Sequence, residues 1–384
     1  MHRPVHVYLV SNQPTPNLTP ALDTRLRPAR VILLVSPGMR EQARWLEEVL
    51  SSRGIVTREW PVDHAFDIEH VQNRVLELLE DEIPNVKAKR IQLNATGGTK
   101  PMSIAAYEAF RAYELPIFYV HPEKDRLVWL FHPDQPPAIN IQDRIRLEPF
   151  LQAHGVNPRA EPSRNIPNKA LLEAGQQIVA HVEGFSRALG VLNFLAHKAR
   201  ATGEVEIERG HLRIANSLIE LFAEHGFLQH SRGKLRFPDE DSRFFVNGGW
   251  LEYLVFDAAR SLRRDDDRIQ DVARSVNVER IIRGETVPNE LDVVFLRDNR
   301  LYLIECKTSR FKDKGEDSHG AGVLYKLDAL GDIMGGIKSR ALLVSYQKFQ
   351  RKDRDRARMM GIEVCAGAEL QRLKTFLKKA IEPT

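Results

Sequence analysis

The sequence predicts an α/β protein with two α/β halves joined by a mostly helical connector. Three observations carry this. Strand-like and helix-like segments alternate over the first 150 residues. The segment from about 160 to 246 is mostly helical in its periodicity. From Gly249 onward α/β alternation returns. Alternation of this kind specifies right-handed βαβ units on a doubly wound parallel sheet.

The elements follow in order. Val5-His6-Val7-Tyr8-Leu9-Val10 is a strand. Val31-Ile32-Leu33-Leu34-Val35 is apolar throughout and ends at Ser36-Pro37-Gly38, as a strand buried on both faces should. Ala43, Leu46, Val49 and Leu50 mark a helix that Gly54 stops. Ile91–Asn94 is a strand, Pro101–Tyr113 a helix and Ile117–Val120 a strand. Thr19 with Pro20 reads as the N-cap and first turn of the helix after the first strand. Pro and Asn cluster between Asn157 and Asn168, which sets the domain boundary there. The divisions are 1–150, a connector over 160–246, and 247–384.

In the connector, Leu218, Leu221, Phe222 and His225 mark a helix, and Ser231-Arg232-Gly233 a polar hairpin. A plain helical connector and a winged-helix module both fit. Beyond it come a helix with Leu251, Leu254, Val255 and Ala258, two short strands flanking Asp298-Asn299, a helix through Leu324–Ile333 and the strand Ala341–Ser345. The run Lys348–Arg358 reads as a solvated helix face or as a phosphate-binding patch.

Composition narrows the function classes. The 384 residues carry 56 Lys+Arg against 52 Asp+Glu, a net charge of +4, so charge alone announces no nucleic-acid partner. Two cysteines, Cys306 and Cys365, cannot build a thiolate zinc cage or a disulfide framework. No apolar run approaches the ~20 residues of a membrane span, and no signal-peptide core is present. A soluble, cytoplasmic protein without membrane partners is expected.

The C-terminal half holds a constellation set by counting. With Asp298-Asn299 as a two-residue turn, Arg297 faces Arg300, Leu296 faces Leu301, Val294 faces Leu303 and Asp292 faces Glu305. Lys307 projects from the same face as Glu305, and Glu290 falls opposite Lys307. Two carboxylates so close repel unless a cation lies between them. Oxygen donors of this kind suit Mg²⁺ or Mn²⁺, and the Lys307 ammonium can stabilise charge on a phosphate. This is equipment for phosphodiester hydrolysis. Plain ion pairing of an edge hairpin is the simpler alternative, and Glu290 is a rival second carboxylate. On the preceding helix, Glu252 either faces solvent or completes the ligand set.

The N-terminal half offers two polar loops at strand carboxyl ends, where doubly wound sheets bind ligands. One is Ser11-Asn12-Gln13-Pro14-Thr15, the other Asn94-Ala95-Thr96-Gly97-Gly98-Thr99-Lys100. Gly97-Gly98 admits close backbone approach, and Lys100 at a helix start favours an anion. Neither a P-loop nor a G-x-G-x-x-G follows the first strand, so ATP hydrolysis and NAD chemistry are not supported.

Asp292, Glu305 and Lys307 with upstream Glu252 resemble the PD-(D/E)xK nuclease superfamily of restriction-endonuclease-like folds, over about Gly249–Ser345. Leu291 stands where that family usually has proline. The Asn-x-Thr-Gly-Gly-Thr-Lys stretch with the first loop resembles the Rossmann-like CARF domain, the sensor of cyclic oligoadenylate in type III CRISPR defence. In this order the halves resemble CRISPR ancillary nucleases. That resemblance implies a cytoplasmic homodimer in antiviral defence, allosterically activated by one cyclic oligoadenylate, most often cyclic tetra-adenylate. It would cut RNA and/or DNA with Mn²⁺ or Mg²⁺. By motif position, Ser11, Asn12, Gln13, Thr15, Asn94, Gly97, Gly98, Thr99 and Lys100 would contact the activator. Glu252, Asp292, Glu305 and Lys307 would be catalytic, with Asp292, Glu305 and Glu252 holding the metal. Two alternatives stand beside it: a CARF regulator binding duplex DNA through a winged helix, and a ring nuclease that cleaves its own activator through Lys100.

Overall fold

The computed structural model describes residues 3–85, 90–121, 124–282, 284–308, 319–336 and 339–382. The first half runs β1 (Val5–Leu9), α1 (Thr15–Leu22), β2 (Arg30–Val35), α2 (Arg40–Ser52), β3 (Val56–Pro61), α3 (Ile68–Glu82), β4 (Ile91–Asn94), α4 (Lys100–Ala112), β5 (Ile117–His121), β6 (Arg126–Phe131), β7 (Ile139–Asn140) and α5 (Leu147–Ala153). Its sheet has the order β3-β2-β1-β4-β5-β6-β7. The first five strands are parallel and the last two antiparallel. All of β1 and nearly all of β2 is buried, which is why both read as unbroken apolar runs. The chain steps from one side of β1 to the other on reaching β4, so the β1 and β4 carboxyl ends flank the topological switch point.

The connector comprises β8 (Asn157–Pro158), α6 (Lys169–Ala180), α7 (Val182–Lys198), β9 (Glu204–Glu206), α8 (Arg209–Glu224), β10 (Gln229–Ser231) and β11 (Lys234–Arg236). The hairpin turns at Arg232-Gly233, both with positive φ. It belongs to a three-stranded sheet ordered β10-β11-β9. Only α8 lies between β9 and the hairpin, so the two-helix unit of a helix-turn-helix is missing there.

The last part runs α9 (Glu240–Phe244), a π-turn over Phe245–Gly249, α10 (Trp250–Leu262), β12 (Ile269–Ile282), β13 (Glu285–Arg297), β14 (Arg300–Lys307), α11 (His319–Gly335), β15 (Arg340–Ser345), α12 (Arg351–Met359), β16 (Glu363–Ala366) and α13 (Leu373–Ile381). The sheet order is β16-β15-β14-β13-β12-β8. One face packs on α10 through Val293, Phe295, Tyr302 and Ile304, in an apolar cluster that α6, α7, α8 and α13 extend. The other face continues the core of the first half. Val294, Leu296, Leu301 and Leu303 share one apolar cluster with Tyr8, Leu18, Leu46 and Phe150. The two halves are therefore welded through a common core.

Several expectations are corrected. The first helix starts at Thr15, with Pro16 in its first turn, and Thr19-Pro20 lies inside it. Proline at 20 has no N–H for the Pro16 carbonyl. The buried Asn94 amide donates to that carbonyl instead, at 2.9 Å. The Pro-rich segment after Asn157 is no free linker, because β8 pairs with β12 and Ser163 bridges Arg274. The strands around Asp298-Asn299 are 13 and 8 residues long, not both short. Of the two readings of Lys348–Arg358, the solvated one agrees with the structure, where ion pairs lace the run: Lys348–Glu183, Arg354–Glu369, Arg356–Asp353 and Arg358–Asp355.

Candidate functional site

The candidate catalytic constellation is built by the β13–β14 hairpin. Asp298 and Asn299 both adopt positive φ, as a two-residue turn requires. The register runs Arg297–Arg300, Leu296–Leu301, Val294–Leu303 and Val293–Ile304, as counted. The ladder closes there, so Asp292 and Glu305 stand at its open end. The Glu290–Lys307 pair lies beyond the end of this ladder; on its other side Glu290 pairs with Asn277 of β12, and it is exposed where Glu305 is buried, which makes it the weaker candidate.

Glu305 is buried, and its carboxylate takes the Lys307 ammonium at 2.6 Å. The Asp292 Oδ2 accepts the Cys306 backbone N–H at 2.6 Å. Burial raises the Asp292 pKa, and the Glu305 charge raises it further; the Cys306 N–H and Lys307 pull the other way. Glu252, on α10, is also pushed up, first by burial and then by Asp292 and Glu290. Burial alone would lower Lys307, but the charge of Glu305 and its hydrogen bond hold it up. The structure thus concentrates negative charge where water is scarce, which a divalent cation would relieve.

Sequence reasoning missed β12 and with it Ser275. Arg274 pairs with Val293 and Val276 with Leu291, so Ser275 stands across from Asp292. Ser275 has φ +47°, strained for a non-glycine residue, and its Oγ donates to Glu252 Oε2 at 3.3 Å. This ties α10 to β12, the strand beside the hairpin. A serine inside a weakly alternating polar strand carries no visible signal.

The oxygen donors fit Mg²⁺ or Mn²⁺ by chemistry. Among the described residues, however, no three His, Cys, Asp or Glu side chains form a ready metal cage. Lys307 holds Glu305, and the strand backbone holds Asp292.

The second candidate site lies at the switch point. A cavity of about 780 Å³ opens at the carboxyl ends of β1, β2, β3 and β4. Ser11, Asn12, Gly98 and Thr99 line it. Thr99 caps α4 by accepting the Met102 N–H, and its hydroxyl donates to the Ala65 carbonyl at 2.6 Å. Gly97 sits beneath the Leu9 carbonyl, leaving no room for a Cβ.

Other residues named from the sequence lie off the cavity lining. Thr15 and Asn94 are buried, and Asn94 spends its side chain on Pro16, Asn17 and Thr96. Lys100 is exposed at the start of α4. Gln13 lies against Gly336, just past α11.

The loops after β2 and β3 line the cavity too and were missed. They bring Ser36, Met39, Asp63, His64, Phe66 and Asp67. Phe66 is 80% exposed, presenting an aromatic face. The apolar run ending at Ser36-Pro37-Gly38 was the available signal for the first loop. For the second, the mostly exposed β3 hid its own strand.

Known proteins match both halves. Residues 5–150 match the Card1 CARF domain family, and residues 239–382 the Card1-like endonuclease domain family. The protein VC1899 from Vibrio cholerae is 31% identical, over 98% of this chain and 97% of that one, with a TM-score of 0.89. Can2 from Sulfobacillus thermosulfidooxidans, solved with cyclic tetra-adenylate, is 26% identical over 99% of both chains, with a TM-score of 0.81. A type III CRISPR defence DNA nuclease activated by cyclic oligoadenylate is similar in fold alone. It has 20% identity, a TM-score of 0.58, and coverage of 91% of this chain and 46% of that one. No curated protein matches the chain at a significant level. No helix among the described residues is long and apolar enough to cross a membrane.

Proposed function

The chain belongs to the Card1-like family, which joins a CARF domain to an endonuclease domain, and from that premise we propose a metal-dependent nuclease of CRISPR defence switched on by cyclic tetra-adenylate. The observation that carries the catalytic half is the meeting of Asp292, Glu305 and Lys307 at the open end of one hairpin, with Glu252 approaching from α10. The sensor half rests on the switch-point cavity, with Ser11, Asn12, Gly98 and Thr99 on its wall and Phe66 offered for stacking on an adenine. We assign residues 1–150 to the sensor, 160–246 to the connector and 247–384 to the nuclease. The active form is a cytoplasmic homodimer that shares one activator and cuts RNA and/or DNA.

Asp292, Glu305 and Glu252 would hold the cation. A bound Mg²⁺ or Mn²⁺ supplies Lewis-acid polarisation of the scissile phosphate. Lys307, kept charged by Glu305, places its ammonium where charge builds on the phosphate oxygens. Lys307 engages Glu305 through Oε1, which would leave Oε2 to the cation.

The test mixes protein with labelled single-stranded RNA, single-stranded DNA and supercoiled plasmid, with and without Mn²⁺ or Mg²⁺ and cyclic tetra-adenylate. Cutting is expected only with both metal and activator. Glu305→Gln and Lys307→Ala are expected to lose roughly 10²-fold or more in rate while activator binding persists. Full cutting by either variant overturns the site. Duplex binding without cutting any substrate would instead support a regulator.

A further inference from the structure

A cleft of about 840 Å³, sharing no lining residue with the sensor cavity, lies at the amino-terminal ends of β14 and β15, where the sensor's β6–β7 edge meets α13. Lys124, Arg126, Arg300, Arg340 and Lys379 line it, and none has an ion-pair partner among the described residues. What sets these five apart is that they gather on the wall of one cleft. Arg268 and Arg297, on the same wall, are both tied to Asp266. Asp298, Glu363 and Glu382 also line the cleft, so cations outnumber carboxylates there.

Unpaired cations gathered along a concave wall focus a positive field and recruit anions. Their spread across two domains suits an extended polyanion better than a single phosphate. The aromatic content is low: Tyr302 is buried and Phe376 half-buried. That favours backbone contact over base stacking. From Arg300 to Glu305 is five strand residues, about 17 Å at ~3.3 Å per residue. The cleft is therefore separate from the catalytic carboxylates.

We propose that this cleft is an exosite for the phosphate backbone of the nucleic-acid substrate, binding it without reading its sequence. The proposal rests on the nuclease reading, because it assigns the polyanion as substrate. A binding measurement separates the two.

Fluorescence anisotropy of labelled oligothymidylate and oligouridylate is read in a Glu305→Gln background, where no cutting confuses the signal. Combining Arg126→Glu, Arg340→Glu and Lys379→Glu, all at exposed positions, is expected to weaken binding roughly tenfold or more. The slope of log Kd against log salt should flatten by about 0.7 per lost phosphate contact. The corresponding Arg→Lys changes at 126 and 340 should keep both affinity and slope, which controls for misfolding. In the active protein the triple variant should lose kcat/KM on long substrates and keep it on a dinucleotide too short to reach the cleft. Unchanged affinity and salt slope overturn the proposal. So does a change in oligomeric state that accounts for the loss. If the parent protein cuts nothing, the nuclease reading fails on its own, whatever the binding comparison returns.

Discussion

Asp143 shows how one side chain can make the domain junction sensitive to pH. Burial, and then the charges of Asp125, Asp298 and Asp267, lift its pKa to about 7 against the opposing pull of Arg268. Asn299, in the turn of the β13–β14 hairpin, donates to Asp143 at 3.3 Å and to Asp125 at 2.6 Å. The folded state therefore holds an extra proton between about pH 4, the ordinary aspartate value, and about 7. That contribution is fully present below pH 4 and is lost as pH rises through 7. Asp143→Asn should flatten the decline of melting temperature across this window. An unchanged profile would place the sensitivity elsewhere. Asn94 makes a second prediction at this scale. Asn94→Ala strands the Pro16 carbonyl and the Asn17 amide partner, costing about 1–3 kcal/mol per buried group left unmade. A large loss of activator affinity with no loss of stability would instead make Asn94 a ligand contact. From sequence, the Asn94 motif pointed to a ligand. Its bracing role depends on Pro20 sitting inside a helix, which local capping rules placed differently.

Among elements, the β13–β14 hairpin was the most legible. A two-residue turn turns register into arithmetic, and Asp292, Glu305 and Lys307 fall out of the count. The count says least beyond the end of the ladder, at Glu290, where only the β12 edge of β13 is still paired. β12 was the least legible element. Its residues alternate weakly, and its strained Ser275 is held by the helix and hairpin around it. Ser275→Pro would lose the Glu252 contact and could not adopt the positive φ found there. Ser275→Ala removes only the contact, and so reports on positioning. Ser275→Ala is expected to lower kcat several-fold with KM little changed, since Ser275 touches Glu252 rather than substrate. An equal loss on KM would mean that it contacts the nucleic acid.

For the whole molecule, the contact between Gln13 and Gly336 links the first sensor loop to the end of α11, directly before the strand that flanks β14. Gly336 has φ +57°, and a Cβ there would collide with the Gln13 amide. Gly336→Ala should raise the activator concentration needed for half-maximal cutting. Gly322→Ala, on the same helix with open space around it, should not. Equal behaviour of the two variants would remove this contact from the coupling path. An activator can shift the nuclease only as far as it binds the active state better, so any such link has a ceiling. The α/β halves and the helical connector were legible because apolar periodicity is a local signal. The welding of the halves was not, since Val294 and Leu303 look the same whether a helix or another domain covers them. That shared core has an engineering consequence. Residues 239–382 are not a portable cassette: cut free, they would expose the part of their core that is now continuous with Leu18, Leu46 and Phe150. A truncated effector should collect in the insoluble fraction, and a chimera should inherit a sensor's partner face along with its enzyme.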